Sequence, residues 1–343
     1  MKIIIDAMGG DRAPEETVKA ISQASRETDA EFVVTGDENE IKKRLTQNGA
    51  DMARIRVVHT ETVITMEDDP ISAVKGKKDS SMSEGLRLLR DGGDAFVSAG
   101  NTGALFMGSS LIVRNVKGIK RAAIGAILPF ARPTLLLDSG ANVTALPEYL
   151  LQWAILGSLY MENVMGIASP TVGLLNNGVE EHKGTPTLVE AYGMLQKTGS
   201  VNFIGNVEAR DVPYGPCDVI VTDGFTGNVT LKLAEGVASF LFRTLKETLT
   251  ENAASKIFAY PMKGKLKGLK TRFDASEYGG APILGLRKPV IKAHGSSDAR
   301  AFLNAIRQAE RFARSGFSDK LAGIAELKDC KKDTEKEGNS DEQ

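Results

Sequence analysis

Short runs of β-branched and aliphatic residues alternate along this chain with longer segments whose apolar residues recur every three or four positions. The short runs have the length of strands, and several are apolar at every position, as strands buried on both faces of a sheet are. We predict strands at residues 3–5, 32–35, 55–59, 95–98, 122–128, 134–137, 171–175, 201–204, 219–221 and 290–293. The longer segments predict amphipathic helices between them.

Three of these helices carry clear start signals. Pro14 and Pro147 each stand at a predicted helix start. Proline is favoured there because the first N–H groups of a helix have no partner within it, so the N–H that proline lacks costs no hydrogen bond. Asp298 is a predicted N-cap for a third helix, which Gly316 ends. The alternation of strand and helix predicts an α/β fold with a three-layer αβα, Rossmann-like architecture and a mostly parallel sheet. Residues 124–137 are expected to form two strands joined by a loop.

Six of the strands lead into a small, polar, glycine-containing turn that is followed by a helix. The turns occupy residues 6–11, 98–103, 138–142, 176–184, 222–228 and 294–298. Ligands of open α/β sheets bind outside the carboxyl ends of the strands, which is where all six turns fall. The first turn of a helix also presents free N–H groups and a positive dipole end. The pattern therefore predicts one site for an anion, above all a phosphate.

The composition is that of an ordinary globular protein. The chain has 343 residues, of which 25% are charged, and a net charge of -1, so no polyanionic partner such as nucleic acid is expected. The apolar stretches are too short to span a bilayer, and the chain opens directly into a strand, so we expect no signal peptide. Two cysteines, Cys217 and Cys330, and no metal-ligand spacing predict a reducing cytoplasm and no metal. Residues 1–327 are expected to form one catalytic domain, and 328–343 a disordered polar tail.

Familiar nucleotide and hydrolase motifs do not occur in the sequence. It contains no G-x-G-x-x-G fingerprint and no G-x-x-x-x-G-K-[ST] loop, which counts against a standard Rossmann dehydrogenase and a P-loop nucleotidase. It also lacks the G-x-S-x-G elbow of serine hydrolases. The expected anion site is therefore of another kind, and we expect no cofactor.

The six turns, taken with their flanking residues and in this order, closely resemble the PlsX family of bacterial phosphate acyltransferases. The resemblance covers residues 1–325. It implies a fold similar to phosphotransacetylases and isocitrate-type dehydrogenases, a homodimer, and peripheral association with the membrane. The implied reaction takes the acyl group of acyl-(acyl carrier protein) to inorganic phosphate. The acyl phosphate would then pass to a membrane glycerol-3-phosphate acyltransferase in phospholipid synthesis.

The residue types suit this chemistry, because phosphate itself is the nucleophile and the protein has only to hold a dianion and stabilise an oxyanion. Lys183 is the predicted cation for the phosphate, and Asn228 the predicted donor to the oxyanion; the resemblance also suggests both positions as catalytic. His182 is expected to assist proton transfer. The residues expected to bind phosphate or substrate, or to orient the loops that do, are Asp6, Gly9, Gly10, Asn101, Thr102, Gly103, Asp138, Asn142, Asn177, Asp223 and His294.

Each of these assignments has a purely structural alternative. An Asp or Asn at the start of a helix is often only an N-cap, and a glycine in a tight turn can serve only to supply a positive φ. His294 can orient its loop rather than contact substrate, and Lys183 can be a solvated surface lysine.

Residues 256–272 combine six basic residues, no acidic residue and several apolar ones, and they follow a long amphipathic helix. This composition suits an anionic membrane surface, the acidic carrier protein or a dimer contact, with a solvated loop as the alternative. Pro261, Gly264 and Gly268 argue against a continuous helix here. The predicted contact residues are Lys256, Ile257, Phe258, Lys263, Lys265, Leu266, Lys267, Leu269 and Lys270.

Other functions stay open at this point. A phosphotransacetylase-like transfer from a short acyl-CoA would not need the basic, apolar segment. A binding protein without catalytic activity, which recruits partners to the membrane, would show no phosphate-dependent loss of thioester. A metal-dependent decarboxylating dehydrogenase would need a carboxylate cluster and a nucleotide site, and the sequence suggests neither.

Overall fold

The computed structural model describes residues 1–252, 255 and 260–324, and the chain divides into two compact units. Unit 1 comprises Met1–Gly125, Ile155–Ser169 and Tyr278–Gln343, and unit 2 comprises Ala126–Ala154 and Pro170–Glu277. The expected disordered tail at 328–343 lies outside the described residues. The single catalytic domain over 1–327 stays a prediction.

Unit 1 contains a mostly parallel sheet. Its strands are β1 (Lys2–Asp6), β2 (Glu31–Gly36), β3 (Ile55–His59), β4 (Ala95–Ser98), the beginning of β5 (Ala123–Pro129), β10 (Ala281–Leu284) and β11 (Val290–Lys292). β1 pairs in parallel with β2 and β4, β2 with β3, and β4 with β11. β10 is antiparallel to both β11 and β5. The central strands β1, β4 and β11 bury apolar side chains, with Ile3, Ile4 and Ile5 fully buried. At the carboxyl ends of these strands the buried residues are polar: Asp6, Ser98 and Lys292.

Helices cover the strands of unit 1. They are α1 (Glu15–Glu27), α2 (Glu38–Gln47), α3 (Pro70–Gly76), α4 (Ser81–Arg90), α5 (Thr102–Gly108) and α10 (Ala299–Arg314), with a π-helical turn at Ser109–Val113. Pro14 stands at the start of α1, as predicted, and occupies its N-cap position. Asp298 is the N-cap of α10, as predicted, and accepts a hydrogen bond from the Ala301 N–H at 2.9 Å. The buried face of α10 includes Phe302 and Ile306. Burial of such a side chain contributes about 1.5–3 kcal/mol, so tertiary packing stabilises these helices more than their caps do.

Unit 2 has its own parallel strands. They are β6 (Pro133–Leu137), β7 (Thr171–Asn176), β8 (Asn202–Glu208) and β9 (Val219–Val221), arranged in the order β6-β9-β7-β8. The helices of this unit are α7 (Pro186–Lys197), α8 (Gly224–Leu249) and α9 (Lys263–Arg272), and α6 (Pro147–Asn163) begins here and ends in unit 1. Strand residues contribute most of an apolar cluster, which consists of Leu128, Leu136, Leu175, Val207, Val212, Cys217 and Ile220.

The predicted α/β class with a mostly parallel sheet is confirmed, and every predicted strand is present with bounds that differ by a few residues. β10 was missed because it is short and contains Pro282, a residue that argues against a strand.

The prediction that Pro261, Gly264 and Gly268 argue against a continuous helix over 256–272 was wrong for the two glycines but not for Pro261. Gly264 and Gly268 lie inside α9, where each costs only about 1 kcal/mol relative to alanine, too little to end the helix. Pro261 lies in the 3₁₀ turn Tyr260–Met262 just before α9. Lys256, Ile257 and Phe258 lie outside the described residues.

Among the helices of the described residues, none combines the length and the apolar character that crossing a bilayer requires.

Candidate functional site

The six glycine-containing turns fall into two groups of three, one in each unit. In unit 1 the turns 6–11, 98–103 and 294–298 follow β1, β4 and β11, which are neighbouring parallel strands. In unit 2 the turns 138–142, 176–184 and 222–228 follow β6, β7 and β9, also neighbouring parallel strands. Each unit therefore carries three turns at the carboxyl edge of its own sheet, which is where α/β sheets bind ligands.

In unit 1, the buried Asp6 carboxylate holds the first two turns together. Its Oδ2 accepts from the Ser98 hydroxyl at 2.7 Å, and its Oδ1 accepts from the Met8 N–H at 3.1 Å. The same Ser98 oxygen accepts from the Gly100 N–H at 3.0 Å. Burial raises the pKa of Asp6, although hydrogen bonds from Ser81 and Ser98 oppose that rise. Asp6 thus orients loops rather than facing solvent.

Gly9 and Gly10 allow the three turns of unit 1 to approach closely. A Cβ atom on Gly9 would lie 2.6 Å from the Gly100 nitrogen, closer than real Cβ contacts. Gly10 has a φ of +109°, which favours glycine. The neighbouring Asp11 N–H donates to the Gly295 carbonyl at 2.8 Å, joining the first turn to the third.

The Asn101 side chain has a structural role. Its Oδ1 caps α5 by accepting from the Ala104 N–H at 3.0 Å, and its amide nitrogen donates to the carbonyls of Thr65, Met66 and Asp68, each at 3.2 Å. Thr102 and Gly103 begin α5, and the first N–H groups of a helix have no partner within it. The anion-binding capacity of this turn therefore resides in backbone rather than in the Asn101 side chain.

His294 lies exposed at the start of the third turn. Its Nδ1 accepts from the Ser296 N–H at 3.2 Å and lies 2.8 Å from the Ser296 hydroxyl. The ring thus orients its own loop, and its Nε2, which has no partner among the described residues, can contact solvent or a ligand.

Sequence reasoning missed Lys292, a buried lysine at the end of β11. Its ammonium donates to the carbonyls of Ala99, at 3.3 Å, and Ala293. Burial lowers the pKa of Lys292 to about 8, against the opposing attraction of Asp11 and Asp6. The only sequence signal was a lysine at the end of an apolar strand, two residues before the polar turn begins at His294.

We expect the burial of Lys292 to make the free energy of unfolding depend on pH. Between pH 8 and pH 10.5 the unfolded chain keeps the proton that the folded chain has lost, so stability increases with pH in this window. At about 1.4 kcal/mol per pH unit, the gain is about 3 kcal/mol. Urea unfolding of wild type and Lys292→Met gives the free energy of unfolding of each protein at several pH values in this range. The difference between the slopes of the two plots of free energy against pH measures the gain. Parallel pH profiles for the two proteins would contradict the assignment.

In unit 2, the fully buried Asp138 carboxylate organises the turn after β6. It accepts hydrogen bonds from the backbone N–H groups of Gly140, Ala141 and Asn142, the last at 2.7 Å, and from the Asn142 side-chain amide at 2.9 Å. The Thr222 carbonyl accepts from the Asp138 N–H at 3.0 Å, which ties this turn to the one after β9. Asp138 and Asn142 thus form a hydrogen-bonded framework that holds the turn 138–142 in place.

The turn after β9 packs directly against that framework. Asp223 caps α8 by accepting from the N–H and the hydroxyl of Thr226, both at 2.8 Å. The Gly224 N–H donates to the Asn142 carbonyl at 2.7 Å, and a Cβ at Gly224 would lie 2.7 Å from that same oxygen. The first turn of α8 is therefore fixed in position.

Asn228 lies in α8, two residues beyond Thr226. Its side chain lies against Gly140, where an added Cβ would be 3.4 Å from the Asn228 amide nitrogen. Within the described part of the chain, the Asn228 amide makes no hydrogen bond. Its donors are thus held in place and available.

Two buried amides hold the loop that carries Lys183. Asn176 donates from its side chain to the Lys183 carbonyl at 3.0 Å, and Asn206 donates to the Glu180 carbonyl at 2.8 Å. A Cβ at Gly178 would lie 3.0 Å from Cγ of Lys183, so the lysine stem lies across that glycine. Among the described residues, the Lys183 ammonium has no hydrogen-bond or ion-pair partner.

The neighbours of Lys183 differ in their surroundings. The ring of His182 is exposed and, over the ranges that the structure describes, unbonded. Asn177, which we predicted as a ligand, is exposed and donates its backbone N–H to the Asn176 side-chain oxygen at 2.8 Å. Asn176, which is not among the predicted site residues, is the residue that positions the loop. Unit 2 thus presents the Lys183 ammonium and the Asn228 amide on turns that follow adjacent strands, and neither group has a hydrogen-bond partner among the described residues.

The profile of a family described as fatty acid synthesis protein matches residues 1–320. A phosphate acyltransferase of Alkaliphilus oremlandii is 46% identical over 332 residues, covering 96% of this chain and 99% of that protein. One from Oceanobacillus iheyensis is 49% identical over 313 residues, covering 90% and 93%. Among solved structures, a phosphotransacetylase from Streptococcus pyogenes superimposes with a TM-score of 0.64 at 18% identity, covering 92% of this chain and 94% of that one. The last likeness confirms the expected fold.

Proposed function

Because this chain belongs to the fatty acid synthesis protein family, we propose that it transfers a fatty acyl group from acyl carrier protein to inorganic phosphate. A phosphate oxygen attacks the thioester carbonyl carbon, the C–S bond breaks, and the products are an acyl phosphate and the free thiol of the carrier. The observation that carries the proposal is the uncommitted pair, the Lys183 ammonium and the Asn228 amide, on turns that buried groups hold rigid.

Each residue of this pair has a role that its chemistry supports. The Lys183 ammonium neutralises the phosphate and keeps it against the carbonyl carbon. The Asn228 amide donates to the oxyanion of the tetrahedral intermediate, without any change in its own protonation. His182, exposed beside Lys183, transfers the proton that the attacking hydrogen phosphate loses to the departing thiolate. Asp138, Asn142 and Asp223 keep the turns in place.

The turns of unit 1 have an anion-binding capacity of their own. The N–H groups of Thr102 and Gly103, which have no partner among the described residues, suit a phosphate or a phosphate-like group. The close contact between turns that Gly9 and Gly10 allow suits such a group as well. Asp6 and Asn101 hold these turns, and the exposed His294 ring lies at the start of the third turn.

Phosphate-dependent release of thiol from palmitoyl-(acyl carrier protein) tests the reaction. We expect release to require phosphate and to produce an equal amount of acyl phosphate, measured by trapping with hydroxylamine. Release without phosphate would indicate a thioesterase and overturn the proposal. Activity on acetyl-CoA alone would indicate a phosphotransacetylase. Inertness toward both thioesters would indicate a binding protein.

We also propose that the protein is a homodimer that uses α8. Val229, Leu233, Val237 and Leu241 recur every four residues along this helix and are exposed, Leu233 by 65%. An apolar stripe of this kind is typical of a protein–protein interface. Sedimentation equilibrium should give a dimer for wild type and a monomer for Leu233→Asp; a monomeric wild type would contradict the proposal.

Peripheral membrane association is a separate proposal, supported by α9. Lys263, Lys265 and Lys267 are exposed on this helix, with Leu266 half-buried and Leu269 exposed. The contact role of Lys270 rests on the sequence, as do those of the three residues outside the described ranges. The acyl phosphate product has a long apolar chain, so a membrane acyltransferase is a fitting consumer.

We expect the protein to float with anionic vesicles at low salt, and replacement of Lys263, Lys265 and Lys267 by glutamine to weaken this binding about 100-fold. Each lysine near such a surface contributes about 1 kcal/mol, and salt screens that attraction. Lys42→Gln/Lys43→Gln on α2 is the control and should bind as wild type does. No flotation at low salt would contradict membrane contact. Loss of carrier-protein binding in the triple variant, without flotation of wild type, would assign the lysines to the carrier.

A further inference from the structure

A basic cavity lies in unit 1, at the edge of the sheet opposite to its glycine-containing turns. Its volume is about 310 Å³, and it is lined by Arg90, Leu111, Ile112, Val113, Arg114 and Arg287. Arg90 ends α4 just before β4 begins, and Arg287 precedes β11, so the cavity lies at the amino ends of these parallel strands. The three turns of unit 1 lie at the carboxyl ends. The cavity is therefore distinct from the candidate site in that unit.

The backbone of Arg114 is unusual for its residue type. Its φ of 72° and ψ of 159° fall in a region that is nearly exclusive to glycine. The π-helical turn Ser109–Val113 leads directly into it, and the Ser109 carbonyl accepts from the Arg114 N–H at 3.0 Å. The Arg287 N–H donates to the Arg114 carbonyl at 3.0 Å, which fixes the two arginines next to each other. Both π-helical turns and disfavoured backbone geometry are concentrated at functional sites.

The charges around the cavity are unevenly compensated. Arg90 already forms two hydrogen bonds with the Asp91 carboxylate, at 2.7 and 2.9 Å. Arg287 uses its Nε on the Asn115 carbonyl at 3.2 Å, which leaves its terminal nitrogens for other acceptors. Within the described residues, Arg114 has no carboxylate partner, and no acidic residue lines the cavity. Two guanidinium groups with free donors thus adjoin one small cavity.

The remaining lining is aliphatic. Leu111 is 49% exposed, a large fraction for a leucine beside three arginines. A ligand that satisfies both parts of the lining needs an anionic head and an apolar chain. Phosphate monoesters suit two arginines better than a single carboxylate does, because a dianion with three terminal oxygens can accept from both guanidinium groups. The volume is at the lower end of the range for small-molecule pockets.

We propose that this cavity binds a phosphate head that carries an apolar chain, with Arg114 and Arg287 as its ligands and Leu111 against the chain. The inference stands apart from the proposed reaction, because it uses none of the residues assigned to acyl transfer. Such a head group can belong to a soluble acyl phosphate or to a membrane lipid with a terminal phosphate monoester.

Decyl phosphate, used below its micelle concentration, is the probe for the site. Calorimetry gives its affinity, and hydrogen exchange gives its location in the chain. We expect slower exchange in peptides covering 109–116 and 284–289. Inorganic phosphate alone and decanol should give no protection there.

Arg114→Gly is the sharpest variant, because glycine accepts the backbone geometry that arginine tolerates poorly. We expect its thermal midpoint to rise while the affinity for decyl phosphate falls about tenfold, as loss of a charge-assisted hydrogen bond implies. Arg287→Gln should give a similar loss, and Lys42→Gln, which removes a cation from α2, should bind as wild type does. Thiol release from palmitoyl-(acyl carrier protein) should be unchanged in Arg114→Gly. The binding experiment therefore tests the cavity separately from the proposed acyl-transfer reaction.

Two results would overturn the inference: wild-type affinity in both arginine variants, or protection by decyl phosphate confined to the turns at 176–184 and 222–228. Vesicles that contain phosphatidate distinguish the two sources of the head group. Protection of 109–116 by these vesicles would assign the site to a membrane lipid. Protection by soluble decanoyl phosphate, with the vesicles inert, would assign it to the acyl phosphate.

Discussion

Replacement of Lys183 by alanine is expected to reduce phosphate-dependent thiol release from palmitoyl-(acyl carrier protein) by about 10²–10³-fold, the usual effect of losing one preorganised group that stabilises charge in a transition state. The ammonium is the uncommitted cation of unit 2, and no described residue needs it for a hydrogen bond. The fold should therefore be unaffected, with a change in unfolding free energy within about 0.5 kcal/mol, as at other surface positions.

Two further variants separate the role of Lys183 from a general loss of charge. Lys197→Ala removes an exposed lysine from the last turn of α7 in the same unit and should keep wild-type activity. Lys183→Arg keeps the charge but changes its shape and reach, so we expect an intermediate rate and a raised KM for phosphate. If Lys183→Ala and Lys197→Ala have equal activity, Lys183 is a solvated surface lysine and the assigned role is wrong.

Asn228 should respond differently from Lys183. If its amide donates only to the oxyanion, Asn228→Ala lowers kcat and leaves the KM for phosphate nearly unchanged, because the missing bond forms only in the transition state. A lowered kcat and a raised KM for phosphate in the same variant would place Asn228 on the phosphate instead. Steady-state rates over a range of phosphate concentrations distinguish these outcomes.

The positions of the turns could be predicted from the sequence because two strong local signals coincide there: the end of an apolar run and a cluster of glycine and polar residues. Which side chain within a turn does what could not be predicted in every case. Asn176 and Asn177 are adjacent and chemically identical, yet one is buried and holds the Lys183 loop while the other is exposed. Only the direction of each side chain distinguishes them, and that depends on where the strand ends.

Lys292 and β10 illustrate a second limit. A lysine in a sequence is expected to be solvated, so a buried one becomes visible only when tertiary packing places Asp6, Asp11 and the Ala99 carbonyl around it. β10 contains a proline and forms only by pairing with β5 and β11, which are distant in the chain. In both cases the information is in long-range contacts rather than in local pattern.

Gly227→Ala is expected to destabilise the protein by about 3 kcal/mol, the usual upper range for forcing an extra methyl group into a packed site. Gly227 lies in the first turn of α8, and a Cβ there would collide with the carbonyl oxygen of Asp138 and lie 3.0 Å from its carbonyl carbon. This obstacle is backbone, and it cannot move easily because the Asp138 carboxylate accepts from the N–H groups of its own turn. Alanine therefore has to push the two turns apart.

Gly236→Ala is the matched control for this effect. Gly236 lies in the same helix, and among the described residues nothing is within 4 Å of the Cβ it would gain. Alanine is the better helix former by about 1 kcal/mol, so this variant should be more stable than wild type, and the same intrinsic gain applies at Gly227. The difference between the two variants in urea unfolding thus isolates the collision with Asp138. Because displacement of the turn also moves Asn228, thiol release should fall about 100-fold in Gly227→Ala. Equal stability of the two variants would mean that the turns after β6 and β9 are not in the close contact on which the position of Asn228 depends.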